Sequence, residues 1–186
     1  MKSMLKSTLL FTMLFLSSGL IGQLAIRGGV NYANVSISGD GIETETDSKS
    51  GLQGGLMYTI GLGDKLAFRP GAILSIKGYK LNDQNIDWTY LEFPASFLLY
   101  FASSRDGLYI ELGPYVGTGI ESDLGDFGDD LKRLDFGANI GVGLELGSVG
   151  VGINYGYGIG NIADGEFSTD GDVSNKNFGL FGYIQF

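Results

Sequence analysis

The chain has 186 residues, of which 12 are Lys or Arg and 21 are Asp or Glu, giving a formal net charge of −9. That acidity leaves no basic footprint for a phosphate backbone, so nucleic acid is not expected as a partner. With no Cys and no His, disulfides, thiolate metal sites, thiol nucleophiles and the commonest general base are excluded as well.

Residues 1–22 read as a cleavable signal peptide. Lys2 and Lys6 supply a positive start, and Leu9 to Leu16 (LLFTMLFL) a short apolar core leading to Ser17, Ser18 and Gly19. That core is shorter than the roughly 20 residues a spanning helix needs. Cleavage is expected after Gly22, although this puts Leu20 where a small residue is preferred. Residues 23–186 then form one domain, whose charge falls to −11 with Lys2 and Lys6 gone. Its glycines stand out. The chain has 32, far above the ~7% average, with neither a collagen period nor a linker-like cluster.

From residue 23 onward the apolar residues recur with a period of two, the signature of strands. Leu24, Ile26, Val30 and Tyr32 oppose Arg27 and Asn31; Leu52, Leu56, Tyr58, Ile60 and Leu62 oppose Gln53, Gly55, Met57 and Thr59. Leu66, Phe68, Ala72, Leu74 and Ile76 oppose Lys65, Arg69, Ser75 and Lys77. The fourth and fifth strands set Leu91 to Phe101 against Tyr90, Glu92, Ser96 and Tyr100, and Leu108 to Ile120 against Tyr109, Glu111, Gly113, Tyr115 and Gly117. In the sixth, Leu134, Phe136, Ala138, Ile140, Val142, Leu144 and Leu146 oppose Arg133, Asp135, Gly137, Asn139, Gly141, Gly143 and Glu145. The seventh sets Val149, Val151, Ile153, Tyr155 and Tyr157 against alternating Gly and Asn154. The eighth ends the chain as FGLFGYIQF. Phe178, Leu180, Tyr183, Ile184 and the terminal Phe186 resemble the C-terminal signal by which outer-membrane barrels are recognised for insertion.

The second face decides the class. Glycine rarely fills a solvent face, where it weakens a strand and packs nothing. It does suit the cramped lumen of an eight-stranded barrel, with the apolar face turned to lipid. Closure also pairs every strand edge, as a membrane demands. The expected fold is all-β: an eight-stranded antiparallel transmembrane β-barrel in up-and-down meander order.

Short links are expected at Gly63-Asp64, Ser103 to Gly107 and Gly147-Ser148, and long ones at Ile37 to Ser50, Gly78 to Asp87, Glu121 to Lys132 and Asn161 to Asn175. Short turns then face the periplasm together with both termini, and long loops face outward. Tyr79, Trp88 and Tyr90 at one rim, with Tyr100, Phe101 and Tyr109 at the other, are expected to form aromatic girdles. Pro70, Pro94 and Pro114 fall inside strands and call for bulges or interface positions, since each removes a ladder donor.

The stretches YLEFPASFLLYF (Tyr90 to Phe101) and YIELGPYVG (Tyr109 to Gly117), with IRGGVNYAN (Ile26 to Asn34) and FRPGAILSIKG (Phe68 to Gly78), resemble the PorT-like outer-membrane β-barrel family of Bacteroidetes-type bacteria. The resemblance covers essentially the whole mature chain and is structural. It implies an outer-membrane location and, for some members, a link to protein secretion. It carries over no catalytic residue.

Without His, a Ser-His or Asp-His catalytic pair is impossible, and no enzyme activity is expected. Paired carboxylates such as Glu92 with Glu111 are better read as members of a lumen charge network. There Glu92, Glu111, Asp135 and Glu145 balance Arg27, Lys65, Arg69, Lys77 and Arg133, because buried charges need partners. The glycine runs at Gly141 to Gly143 and Gly156 to Gly160 lie within strands and precede no helix, so they are not phosphate loops. Acidic residues crowd two loops, Glu121, Asp123, Asp126, Asp129 and Asp130 in one and Asp40, Glu43, Glu45 and Asp47 in the other. Neither has the ligand spacing of a calcium loop, and both read as solvated. No metal or cofactor is expected. The expected role is structural or interactive, with outer-membrane lipid, the barrel assembly machinery and envelope or secretion proteins as partners. A secretion accessory, a narrow passive porin and a surface adhesin are the alternatives.

Overall fold

A computed structural model describes residues 22–39, 42–45, 47–81, 84–102, 105–122, 134–159 and 172–186; side chains are described within 22–33, 50–77, 88–102, 105–120, 134–159 and 176–186. The expected signal peptide lies outside the described residues, apart from Gly22, which opens the first strand. The strands are β1 (Gly22–Gly39), β2 (Ile42–Glu45), β3 (Asp47–Gly61), β4 (Leu66–Leu81), β5 (Gln84–Tyr100), β6 (Gly107–Ser122), β7 (Leu134–Leu146), β8 (Val149–Gly158) and β9 (Asp172–Gln185).

Every neighbouring pair is antiparallel, and β9 returns to β1 over the ladder from Ala25↔Gln185 to Ser38↔Asp172. β2 and β3 both pair with β1, at Ser36↔Glu45 and Ala33↔Lys49, so together they form one stave. The wall is therefore a closed meander of eight staves, as the alternation requires.

Alternation fixes the faces. Leu52, Leu112, Ile140, Val151 and Ile184 project outward and are half or more exposed, while Gln53, Glu111, Asn154 and Gln185, on the opposite face of their strands, are buried. An apolar exterior with a polar interior is the inverse of a soluble barrel and suits hydrocarbon outside.

Lumen glycines are set by space. A Cβ on Gly55 would meet the Ala72 carbonyl, on Gly113 that of Ala95, and on Gly137 that of Tyr157. At Gly143, Gly150 and Gly152 the obstacle is an aromatic ring from the paired residue, Tyr109, Tyr183 and Phe181 respectively. Glycine on one strand thus leaves room for a large lumen ring on the next.

Three short connections lie at one end of the barrel. Gly147 (φ 61°) and Ser148 join β7 to β8 as a two-residue turn with glycine at the first central position, matching a type II′ hairpin. Between β5 and β6, Asp106 accepts hydrogen bonds at Oδ1 from the backbone N–H of Gly107 (3.1 Å) and of Gly147 (3.2 Å), tying two turns together. Residues 62–65 link β3 to β4.

Four expectations change. Ile37 to Ser50 is mostly strand, because β1 runs to Gly39 and pairs with β2. Gly78 to Asp87 is also mostly strand, with pairing from Gly78↔Asp87 to Leu81↔Gln84. The prolines sit in mid-strand without bulges. The ladders keep their register past Pro70, Pro94 and Pro114, and pairs are merely missing beside each ring. The girdle fails at Trp88, Tyr90, Tyr100 and Tyr109, which are buried in the lumen. They share the parity of Glu92 and Glu111, and parity outweighs nearness to a rim. Phe101 faces out at 61% exposure, and the side chain of Tyr79 is outside the described set.

Candidate functional site: the filled lumen

Inward positions on all eight staves converge on the barrel axis, so charges far apart in sequence meet there. They form three layers.

Nearest the short turns, Arg69 of β4 and Glu145 of β7 make an ion pair, Nη2 to Oε2 at 2.8 Å. Arg69 also donates from Nε to Thr59 Oγ1 (2.8 Å) and from its Nη atoms to the hydroxyls of Tyr109 and Tyr100 (both 3.3 Å). Its guanidinium lies 4.8 Å from the Tyr183 ring centre, within reach of cation–π attraction. Glu145 Oε2 further accepts from Tyr183 OH at 2.6 Å and Tyr100 OH at 3.1 Å, and Oε1 from Gln185 Nε2 at 3.0 Å. The same Gln185 amide donates to the Gly147 carbonyl at 2.7 Å, fastening the layer to the β7–β8 turn. A carboxylate so served by donors is a well-compensated buried charge.

In the middle, Arg27 of β1 donates from Nη2 to Gln53 Oε1 (2.9 Å) and Asn154 Oδ1 (3.0 Å) and lies 3.6 Å from the centre of the Phe181 ring. Arg27 Nε has no hydrogen-bond partner within the protein. Arg27, Glu92 and Glu111 line one cavity of about 20 Å³. That is room for about one water, with polar walls to hold it.

Toward the long loops, Lys77 of β4 pairs with Glu92 of β5 and stands 3.9 Å from Asp135 Oδ2 of β7. Tyr115 OH donates to Asp135 Oδ2 at 3.2 Å. The Lys77 ammonium lies 5.3 Å from the Tyr90 ring centre and 5.6 Å from that of Tyr115.

The lumen set expected from the sequence is therefore placed as follows. Arg27, Arg69, Lys77, Glu92, Glu111, Asp135 and Glu145 all face inward. Lys65 does not: it is exposed in the β3–β4 link, because β4 begins one residue later and strand parity does not extend into a turn. Arg133 lies outside the described residues, as do the acidic stretch 123–133 and the side chains of Asp40, Glu43, Glu45 and Asp47. Of the C-terminal group, Phe178, Leu180, Ile184 and Phe186 face outward, whereas Tyr183 turns inward to Glu145. Sequence reasoning missed the roles of Tyr100, Tyr109, Gln185, Gln53 and Asn154. Their place on the glycine- and charge-bearing face of the alternation was the available signal. Sequence reasoning placed Asp106 beside Gly107 in a short turn but missed its bond to Gly147.

No curated protein sequence matches the chain. Among solved structures it is similar to neisserial surface protein A, with a TM-score of 0.52 and 16% identity over 87% of this chain and 99% of that one. It is also similar to Ail, the attachment invasion locus protein of Yersinia pestis, with a TM-score of 0.50 and 17% identity over 89% and 99%. At such identities the likeness concerns the fold alone. The family model of the outer membrane protein beta-barrel domain matches residues 23–164, from the start of β1 to beyond β8. With its closed wall, apolar exterior and charged lumen, the chain belongs to that outer-membrane β-barrel family.

Proposed function

We propose that the protein is a non-enzymatic barrel that seals its own lumen and acts through the surface carried by its long loops. The filled lumen carries this reading. Two ion-paired layers bracket a cavity with room for about one water, which supports a lumen closed to hydrated solutes. The pairs Arg69–Glu145 and Lys77–Glu92 tie separate staves together across the lumen. On this reading the short turns and both ends of the mature chain face the periplasm.

The resemblance of Tyr90 to Phe101 and Tyr109 to Gly117 to PorT-like barrels supports a finer reading, an accessory of protein secretion. A clean deletion tests it. Retention of secreted cargo in the periplasm would establish the accessory role, and unchanged export would remove it. The loop reading is tested by replacing residues 123–132 and 161–171 with short Gly-Ser turns. Surface binding should be lost while heat-modifiable barrel mobility is kept, and binding that survives both replacements would overturn the reading.

A further inference from the structure

The two ion-paired layers leave one lumen carboxylate unused. Glu111 of β6 is 5% exposed and, among the described residues, takes part in no hydrogen bond or ion pair. Its carboxylate lies against β7, where a Cβ on Gly141 would stand 2.9 Å from Oε1. Arg27 of β1 is held as well: Nη2 serves Gln53 and Asn154, and the guanidinium rests on the Phe181 ring. Its Nε stays buried without a hydrogen-bond partner among the described residues. A third group belongs to Asn177 of β9, which is 8% exposed and whose Oδ1 is likewise buried and unpartnered. All three residues line the cavity of about 20 Å³.

The chemistry of these groups selects the occupant. They present one donor, Arg27 Nε, and two acceptors, the Glu111 carboxylate and Asn177 Oδ1. A bare cation would answer the acceptors, but it would leave Nε unserved and set a second positive charge beside the guanidinium. An anion would answer Nε and be repelled by Glu111. Water accepts one hydrogen bond and donates two, which matches all three groups at once. Three hydrogen bonds are also about the usual number for a buried water, and the cavity is about the size of one.

We propose that the middle layer is a water-bridged ion pair, in which one water accepts from Arg27 Nε and donates to a Glu111 oxygen and to Asn177 Oδ1. The inference rests on the sealed-lumen reading, because a continuous column of solvent would serve Glu111 without any dedicated site. The water joins β1 and β9 to β6, a span that Arg27 and Glu111 do not bridge by a direct ion pair. It adds a third cross-link to those made by Arg69 with Glu145 and Lys77 with Glu92.

The test is a crystal structure of the full mature barrel, grown in rubidium bromide and refined to a resolution at which waters are seen. A single peak should lie within about 3.2 Å of Arg27 Nε, a Glu111 oxygen and Asn177 Oδ1. It should give no anomalous signal at the rubidium or bromine edge. A cavity without the peak, an anomalous signal of either ion inside it, or a direct Arg27–Glu111 ion pair would each overturn the proposal. Oxygen-17 relaxation dispersion of the barrel in micelles checks the same water in solution. The number of long-lived waters should fall by about one on Asn177→Leu, which removes an acceptor and fills the cavity with a methyl group. An unchanged number in the folded variant would overturn the assignment; if that variant fails to assemble, the wild-type crystal decides alone. The two readings fail separately. Conductance steps in KCl overturn the sealed lumen, whereas a silent barrel without the peak overturns only the water.

Discussion

Replacing Glu145 with Gln keeps the side chain's shape and removes its charge. In the native lumen Oε2 receives Arg69 at 2.8 Å, Tyr183 at 2.6 Å and Tyr100 at 3.1 Å, with Gln185 on Oε1 at 3.0 Å. The Arg69 and Glu145 side chains are only 2% and 4% exposed, so water cannot take over. After the change, Arg69 keeps only neutral partners in Thr59, Tyr100 and Tyr109. The new amide also brings donors to a point already crowded with them. Breaking one side of a buried pair costs about 3–5 kcal/mol, and the hydrogen bonds an amide oxygen retains put the expectation at the lower end, about 3 kcal/mol. Arg69→Met should cost a similar amount. The double variant Arg69→Met/Glu145→Met removes both charges and should cost less than either single change. The assay is urea unfolding in lipid vesicles, read by heat-modifiable gel mobility and by the fluorescence of Trp88, the one tryptophan. A single-variant loss below about 1 kcal/mol, or additive losses in the double, would refute a pair-dependent lumen.

Other positions give sharper contrasts. Gly113→Val drives a side chain at the Ala95 carbonyl and should destabilise by about 2 kcal/mol or more in the same titration. Gly28→Ala faces lipid with nothing within 4 Å of the new methyl and should be neutral or stabilise by up to about 1 kcal/mol. Asp106→Ala removes the acceptor shared by Gly107 and Gly147 and should cost about 1 kcal/mol, with faster protease nicking at the turn. Deleting Phe186 takes away the outward aromatic that ends the chain; the yield of assembled barrel in cells should fall, measured by gel mobility of outer-membrane fractions.

The wall was legible because hydrocarbon enforces parity. In β7 the run from Leu134 to Leu146 alternates without a fault, and every outward residue but Ala138 is large and apolar. The β1–β2 hairpin is less legible, because Ile42 to Glu45 carry three polar side chains in four and so do not mark a lipid-facing strand. The lumen residues were also legible one strand at a time. Their partners were not. Arg69 meets Glu145 across a sequence distance of 76 residues, and which inward residue lies level with which depends on the stagger of the closed sheet, a property of all ladders together. Trp88 and Tyr90 were lost to the girdle by reading nearness to a rim, although Tyr90 stands two residues from Glu92 on the same face. The tie made by Asp106 lay beyond reach for another reason: its second hydrogen bond goes to a turn 41 residues away.

The most direct test of a self-sealed lumen is single-channel recording of the purified mature barrel in planar bilayers in molar KCl. The layers of Arg69–Glu145 and Lys77–Glu92 predict a silent membrane, with no conductance steps from wild-type protein shown to be folded. Reproducible steps from that protein, altered in size when Glu92 or Glu145 is neutralised, would mean that the lumen conducts and would contradict the account.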